Sequence, residues 1–399
     1  MGTLPHLLLG GWYKPGSGFT RVLQALVPHL RQKFRITWLG VGYQGPAFEL
    51  APEVHVLPTN LRGGDLVGAY DARRRWASLA PDLVLVLNDL WYLQHYANEF
   101  ALLKDKQVPM VGYLPLDGGI DDAKLVGDLT GFTQLVTYTE WAADQLRQAL
   151  KAQGQTTPVS VAGHGVDLSS FFMQPDGTDL NARMARAQAL FGLSEPAFVV
   201  LNASRPDPRK RLDLTLDAFA LFARDKPANV RLCLHQAIAH ELFVRPLREQ
   251  AAQLGIEDRI LWYPPSEGPL DDDALNTLYN ACAVGLNTAM GEGFGLVSFE
   301  HAATGAPQVL PAHPALLELW QDQAELVTPV TPTHFEYSPL LMGAVDARSV
   351  SASLDRLYRR PDHYAQTARA FLAHSQDPQF QWSAPAKRLI DALCLALEG

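Results

Sequence analysis

Gly291–Pro307 reads GEGFGLVSFEHAATGAP. Glu292 stands beside a glycine-rich turn, an apolar helical stretch follows, and Glu300 lies eight positions after Glu292. The apolar run Cys282–Leu286 (CAVGL) just upstream is strand-like, so the layout is strand, glycine turn, helix. That layout leaves the first helix amides bare at the positive end of the dipole, where they can hold an anion. Gly293 and Gly295 let a ligand approach the main chain closely. With a helix starting near Gly295, Glu300 falls roughly 7–8 Å further along its axis, at about 1.5 Å per residue. Two carboxylates offset in this way can grip hydroxyls at two points of one elongated ligand, with an anion between them. Sugar, diphosphate and ribose in a nucleotide sugar present that order of groups. The alternative reading is an ordinary strand–loop–helix unit with surface glutamates.

A second signature is Leu201–Phe219, LNASRPDPRKRLDLTLDAF. A strand ends near Asn202, two prolines hold the loop open, and a helix begins around Leu212. Arg205 and Lys210 sit on that loop at the strand's carboxyl end, where cations can clamp a diphosphate, Arg through paired donors and Lys as a point charge. Arg209 and Arg211 leave the register open, and a solvated basic loop is the plainer alternative. The first loop, Gly10–Arg21 (GGWYKPGSGFTR), contains Gly16-x-Gly18 but lacks the full dinucleotide fingerprint, because Arg21 stands where the third glycine belongs.

At 399 residues the chain is too long for one ordinary core and predicts two domains. Apolar residues at 47% and charged residues at 19% fit a globular protein with a large core. The net charge of −9 disfavours general nucleic-acid binding. Its distribution is uneven: residues 1–175 carry 14 Lys/Arg against 15 Asp/Glu, so most of the acidity lies in the remainder. Cys233, Cys282 and Cys394 lie in apolar surroundings without metal spacing and read as reduced core residues of a cytoplasmic chain. The start MGTLPHLLLGG lacks a basic n-region, and no stretch reaches the ~20 apolar residues of a membrane span.

Short apolar runs alternate with amphipathic stretches, the pattern of parallel sheets covered by helices. Strands are expected at Leu7–Gly10, Arg35–Val41, Val54–Leu57, Leu83–Leu87, Met110–Leu114, Leu135–Thr139 and Val159–Ala162, with helices such as Phe19–Gln32 and Trp141–Ala152 in the gaps. Phe172–Thr178 (FMQPDGT) reads as a turn-rich hinge. A second set of strands follows at Phe198–Asn202, Val230–His235, Ile260–Tyr263, Cys282–Leu286, Gln308–Leu310 and Glu325–Val327. Ser383 is placed to cap a closing amphipathic helix within Gln379–Leu397.

The phrase with EGFGL, the small-residue helix and Gly305-Ala306-Pro307 resembles the E-x7-E signature of retaining GT-B glycosyltransferases, in particular the GT4-type family of "glycosyl transferases group 1". The resemblance is strongest over Ala197–Leu310, moderate over Leu135–Phe172 and loose before that. It implies an α/β GT-B fold, two doubly wound Rossmann-like domains facing a central cleft. Residues 1–175 would bind the acceptor, 176–378 the nucleotide sugar, and 379–399 would form a helix returning toward the N-terminal domain. The resemblance places Arg205 and Lys210 on the donor diphosphate, Glu300 on the ribose, and Glu292 with the Gly293, Phe294, Gly295 and Leu296 amides on the sugar. It sets Gly16 and Gly18 facing the diphosphate and acceptor, with Arg21 one turn further along.

Where many members of that family carry a histidine, this chain has Asp117, in GYLPLDGG. It either hydrogen-bonds the sugar or helps deprotonate an acceptor hydroxyl, or it caps a turn before Gly118. Asn88 and Asp89 end another strand and carry the same two readings, and His164 reads as a domain-edge loop residue. Asp271–Asp273 reads as a helix N-terminus. No His, Cys or carboxylate cluster has metal spacing. The resemblance implies no metal and no cofactor beyond the nucleotide-diphosphate sugar used as donor substrate.

The expected activity is transfer of a sugar, with retention, to a glycan, lipid-linked or small-molecule hydroxyl. The rivals are a sugar-nucleotide epimerase or phosphorylase of the same fold, and a non-catalytic subunit that binds nucleotide sugar. A lipid-linked acceptor would bring the chain to the inner face of a membrane, with Arg73–Arg75 as one contact; that run otherwise reads as a solvated helix face.

Overall fold

Strands buried on both faces dominate the computed structural model of this chain, which describes residues 4–103, 108–235, 241–263, 269–323 and 325–398. Met1 and Gly399, the outer bounds of the expected domains, lie outside the described residues. Leu83–Leu87 (LVLVL) and Phe198–Asn202 (FVVLN) are buried at every position. Such runs have no wet face, so they settle in the middle of parallel sheets with helices on both sides. Two compact units result, one of residues 1–165 with 382–399 and one of 166–381.

In the first unit the strands are β1 (His6–Trp12), β2 (Arg35–Val41), β3 (Phe48–Ala51), β4 (Val54–Pro58), β5 (Leu83–Leu87), β6 (Met110–Tyr113), β7 (Gln134–Thr137) and β8 (Val159–Val161). Their order is β3-β4-β2-β1-β5-β6-β7-β8, parallel except for β3, which runs antiparallel to β4. The helix Glu140–Ala152 shows why the covering layer forms. Thr139 caps it by accepting from the Ala142 amide at 3.2 Å, and Ala142, Ala143, Leu146, Ala149 and Leu150 make one buried stripe. The helix Ser383–Glu398 packs in this unit, against the helix Gly18–Leu30 and beside β5 to β8.

The second unit holds β9 (Phe198–Asn202), β10 (Val230–His235), β11 (Ile260–Tyr263), β12 (Val284–Leu286), β13 (Gln308–Pro311) and β14 (Glu325–Val327). All are parallel, in the order β11-β10-β9-β12-β13-β14. A hairpin of β15 (Thr333–Phe335) and β16 (Ser338–Met342) stands apart. The chain winds one way from β9 to β10 and the other way to β12, so the β9/β12 junction is the topological switch point of this sheet. The equivalent junction of the first unit lies between β1 and β5. The turn-rich stretch 172–178 belongs to the second unit: the Phe172 amide donates to Asn276 Oδ1 at 3.2 Å and the Gln174 amide to Asn280 Oδ1 at 2.9 Å.

Among the buried histidines, His164 in the first unit and His301 in the second tie this packing most strongly to pH. His164 lies in an aromatic nest, with ring centroids 3.9 Å from Tyr138, 5.9 Å from Tyr113 and 5.8 Å from Trp382. His301 faces the Cys282 carbonyl at 3.2 Å from Nε2. Burial pushes both imidazoles down to about 3, helped at His301 by the Arg183 charge. The folded chain therefore stays neutral at both sites where the unfolded chain, titrating near 6.5, takes up protons. Stability from this source is complete above pH 6.5 and falls as the pH drops toward 3. By pH 5 the loss should reach about 1–2 kcal/mol per histidine. Calorimetry at pH 7 and pH 5 should show it, and His164→Phe should flatten the dependence. An unchanged slope in that variant would mean the nest admits the charged ring.

Among the described residues no helix is long and apolar enough to cross a membrane. The Arg73–Arg75 run is engaged within the fold: Arg73 pairs with Glu99 at 2.5 Å, Arg74 with Asp71 at 2.7 Å, and Arg75 donates to the Pro58 carbonyl at 3.1 Å.

Candidate functional site

The two signature loops leave the carboxyl ends of β9 and β12, the neighbouring strands of the switch point. After β9, Asp207 caps a single 3-10 turn, Pro208–Lys210, by accepting from the Arg209 amide at 3.0 Å. Arg211 then takes a left-handed conformation (φ 49°) before the helix Leu212–Ala223. After β12, Gly295 (φ 84°) opens the helix Leu296–Ala303 in a conformation that a Cβ would strain.

Side chains stitch the loops together. Thr288 Oγ1 donates to the carbonyls of Lys210 and Arg211 at 3.1 and 3.0 Å and lies 2.7 Å from Thr215 Oγ1, to which Asn202 Nδ2 donates at 2.8 Å. The Met290 amide donates to the Arg209 carbonyl at 2.8 Å, and the Arg209 guanidinium donates to the Gly291 carbonyl.

At the centre Lys210 Nζ meets Glu292 Oε1 at 2.5 Å, with side chains only 11% and 12% exposed. Burial pushes the Glu292 carboxyl up, but the Lys210 and Arg209 charges and the bonds from Lys210 and Asn287 outweigh it and bring its pKa down to about 2. The carboxylate is therefore charged at any working pH. Arg211 is committed to Asp213 at 2.7 Å, while Arg205 stands exposed on the same loop.

Glu300 lies one turn into the helix Leu296–Ala303, 4% exposed, and its Oε2 accepts from the Tyr279 hydroxyl at 3.1 Å. Phe294 turns its ring into the core, stacked on Phe299 at 4.8 Å between centroids. The ring is thereby withdrawn from the glycine turn of Gly293 and Gly295. Lys210, Glu292 and the helix N-terminus thus converge at the carboxyl ends of β9 and β12.

Two residues of this site escaped the reading of the sequence. Asn287, directly after β12, donates from Nδ2 to Glu292 Oε1 at 3.1 Å and accepts the Ala289 amide on Oδ1 at 2.8 Å. His313, two residues after β13, sets its Nε2 2.7 Å from the Ala289 carbonyl. The signal that could have found them is position: each is a polar residue at the carboxyl end of a buried parallel strand.

In the first unit Gly16 (φ 76°) and Gly18 are exposed where β1 hands over to the helix Gly18–Leu30. Thr20 braces that loop, accepting the Lys14 amide and donating to the Trp12 carbonyl, both at 2.9 Å. Asn88 is fully buried after β5 and accepts the Asp89 amide on Oδ1 at 3.0 Å; Asp89 opens the helix Leu90–Phe100. Asp117 is half-buried after β6, and with Asp89 it lies near enough to the buried Tyr138 hydroxyl to raise its pKa, after burial and Tyr113. Among the described residues no group of three or more His, Cys, Asp or Glu is arranged to hold a metal ion.

The sequence model of the family "Glycosyl transferases group 1" matches residues 187–336. A D-inositol 3-phosphate glycosyltransferase of Salinispora tropica is 28% identical over 307 residues, covering 75% of this chain and 58% of that protein. One of Thermobispora bispora is 30% identical over 271 residues, covering 66% of this chain and 56% of that protein. The chain thus spans less than two thirds of these relatives' own length. Among solved structures, a sucrose-phosphate synthase from Thermosynechococcus elongatus matches with a TM-score of 0.73 at 15% identity, covering 99% of both chains. The Anabaena protein HepE, solved with UDP and glucose, matches with a TM-score of 0.69 at 16% identity, covering 98% of this chain and 100% of that one. At such identities the structural likeness speaks for the fold. Residues 187–336 are therefore a domain of the glycosyl transferases group 1 family, carried in a chain of GT-B fold.

Proposed function

We propose that this chain is a retaining glycosyltransferase that moves a sugar from a nucleotide-diphosphate sugar to an acceptor hydroxyl. The observation that carries the reading is the convergence of Lys210, Glu292 and the N-terminus of the helix Leu296–Ala303 at the β9/β12 switch point. Cations and a helix N-terminus there suit a diphosphate, and a permanently charged carboxylate beside them suits sugar hydroxyls.

Arg205 and Lys210 take the diphosphate and stabilise the charge that grows on it as the sugar–phosphate bond breaks, the role a metal ion fills in other enzymes. Glu300 takes the ribose, and Glu292 with the turn amides takes the sugar. The acceptor is assigned to the first unit, near Gly16, Gly18 and Asp117. Its oxygen attacks the anomeric carbon on the face the diphosphate leaves, and its proton passes to the departing phosphate oxygen, so configuration is retained. The acceptor is a carbohydrate, a lipid-linked or a small-molecule hydroxyl. A lipid-linked acceptor would bring the protein to a membrane surface.

The test is a thermal-shift screen against UDP-, GDP-, ADP- and dTDP-sugars, with wild type and Glu300→Ala side by side. A ligand at 100 times its dissociation constant adds about 2.7 kcal/mol of stability. Stabilisation by one nucleotide class, lost in Glu300→Ala, is the expected result. No response at millimolar concentration would overturn the donor site.

A further inference from the structure

Three strands converge on the candidate site, and the third brings a side chain the reading above leaves without a role. β13 lies next to β12, and its carboxyl end delivers His313 to the start of the helix Pro314–Trp320. His313 Nε2 stands 2.7 Å from the Ala289 carbonyl. A carbonyl only accepts, so Nε2 carries the proton and Nδ1 of the neutral ring carries a lone pair. Burial lowers the pKa of this ring and keeps it neutral; Glu292, Arg209 and Lys210 are the charged groups that act on it.

Among the described residues no donor faces Nδ1, and that atom is not sealed from solvent. The loop holding the ring is fixed by the same atoms that fix Glu292. Asn287 accepts the Ala289 amide at 2.8 Å with its Oδ1 and donates to Glu292 Oε1 at 3.1 Å with its Nδ2. Nδ1 and the Glu292 carboxylate are therefore two acceptors presented from one braced loop cluster. A phosphate oxygen, itself an acceptor, has nothing to offer them, whereas hydroxyls donate to both.

We infer that His313 is a specificity-determining residue of the donor site, its Nδ1 accepting a hydrogen bond from a sugar hydroxyl close to the one Glu292 holds. This rests on the donor-site assignment above. It names the substrate class more narrowly: a sugar whose hydroxyls are free on that edge, rather than one deoxygenated or alkylated there. A site built to accept from a hydroxyl discriminates against the analogue that lacks it, because the bound sugar then covers the acceptor and leaves it unserved.

The experiment measures binding by calorimetry for UDP-, GDP-, ADP- and dTDP-hexoses, the matching free nucleoside diphosphates, and monodeoxy forms of the hexose that binds. His313→Phe should weaken the nucleotide hexose about three- to tenfold, the worth of one hydrogen bond, and leave the free diphosphate within about twofold. One monodeoxy analogue should bind wild type more weakly than the parent sugar yet bind His313→Phe as well as the parent does. His313→Gln keeps an amide donor for Ala289 and a carbonyl acceptor in place of Nδ1, and it should recover sugar discrimination even if the phenylalanine variant folds poorly. Equal weakening of diphosphate and nucleotide hexose in His313→Gln would reduce the residue to a loop brace and overturn the inference, as would unchanged hexose binding in His313→Phe. Failure of every diphosphate to bind wild type would instead overturn the donor-site assignment itself.

Discussion

Glu292→Gln should bind the free nucleoside diphosphate about tenfold more tightly than wild type, while transferring sugar about a hundredfold more slowly. The opposite signs follow from one ion pair. Lys210 Nζ lies 2.5 Å from Glu292 Oε1 with both side chains nearly buried, and the carboxyl pKa of about 2 keeps the pair charged. In the unliganded protein the glutamate thus neutralises the cation proposed to take the diphosphate, and it also repels the incoming anion. Two like charges about 4 Å apart near a protein surface repel by up to about 4 kcal/mol before screening, so tenfold is a discounted expectation.

Glutamine removes the charge while keeping a carbonyl for Lys210 and for Asn287, which now donates to Glu292 Oε1 at 3.1 Å. Turnover falls for the other reason. A charge-assisted bond to a sugar hydroxyl becomes a neutral one, and its share of transition-state binding is lost. The variant should also be less stable without ligand, because a nearly buried ammonium has lost its counter-charge. Calorimetric titration with UDP and GDP, beside steady-state rates, reads both signs. Weaker diphosphate binding in Glu292→Gln would show that the pair builds the loop rather than restraining the cation.

How much of this was legible before any fold was known varies with the range of the interaction. Leu83–Leu87, Phe198–Asn202, Val230–His235 and Ile260–Tyr263 form at the bounds their apolar runs predict, since strands buried on both faces must be apolar throughout. β3 (FELA) and the Thr333–Met342 hairpin were invisible, being three to five residues long with mixed polarity. The strand expected from Cys282 starts at Val284, because Cys282 still closes the helix Asp272–Ala281 with its amide on the Leu278 carbonyl.

The glycine turn and the basic loop could be read because each is local. Nothing local shows that Lys210 and Glu292, 82 positions apart, would meet. Nor does it show that the Tyr279 hydroxyl holds Glu300, or that Phe294 spends its ring on Phe299. Those depend on strand order, which sets which loop ends become neighbours and which no single motif encodes.

Strand order also explains the largest stability effect expected in the chain, at a residue with no functional signal in the sequence. Arg183 is completely buried, yet its hydrogen-bond partners among the described residues are main-chain oxygens and one hydroxyl. Nε donates to the Gly177 carbonyl at 2.5 Å, Nη1 to the Tyr279 and Cys282 carbonyls at 2.8 Å each, and Nη2 to the Thr304 carbonyl and hydroxyl. Tyr279 and Cys282 close the helix Asp272–Ala281, and Thr304 closes the helix Leu296–Ala303. Two helix C-termini, each with unsatisfied carbonyls and a partial negative charge, thus serve as the counter-ion.

Arg183→Met fills a similar volume but takes a donor from four buried carbonyls, of which those of Tyr279 and Cys282 keep the longer contacts from Thr304 Oγ1 at 3.3 Å and His301 Nε2 at 3.2 Å. At about 1–3 kcal/mol for each carbonyl left unserved, a loss of about 4 kcal/mol is expected in urea unfolding. Arg183→Lys should recover only part of it, since one ammonium cannot reach acceptors on three separate segments. The loss should also reach the candidate site, because the helix that Arg183 holds at its end begins at Gly295 and carries Glu300. Nucleotide-sugar binding by whatever Arg183→Met remains folded should therefore weaken as well. A variant within about 1 kcal/mol of wild type would mean that water serves the carbonyls instead, and that the guanidinium does not hold the two helices.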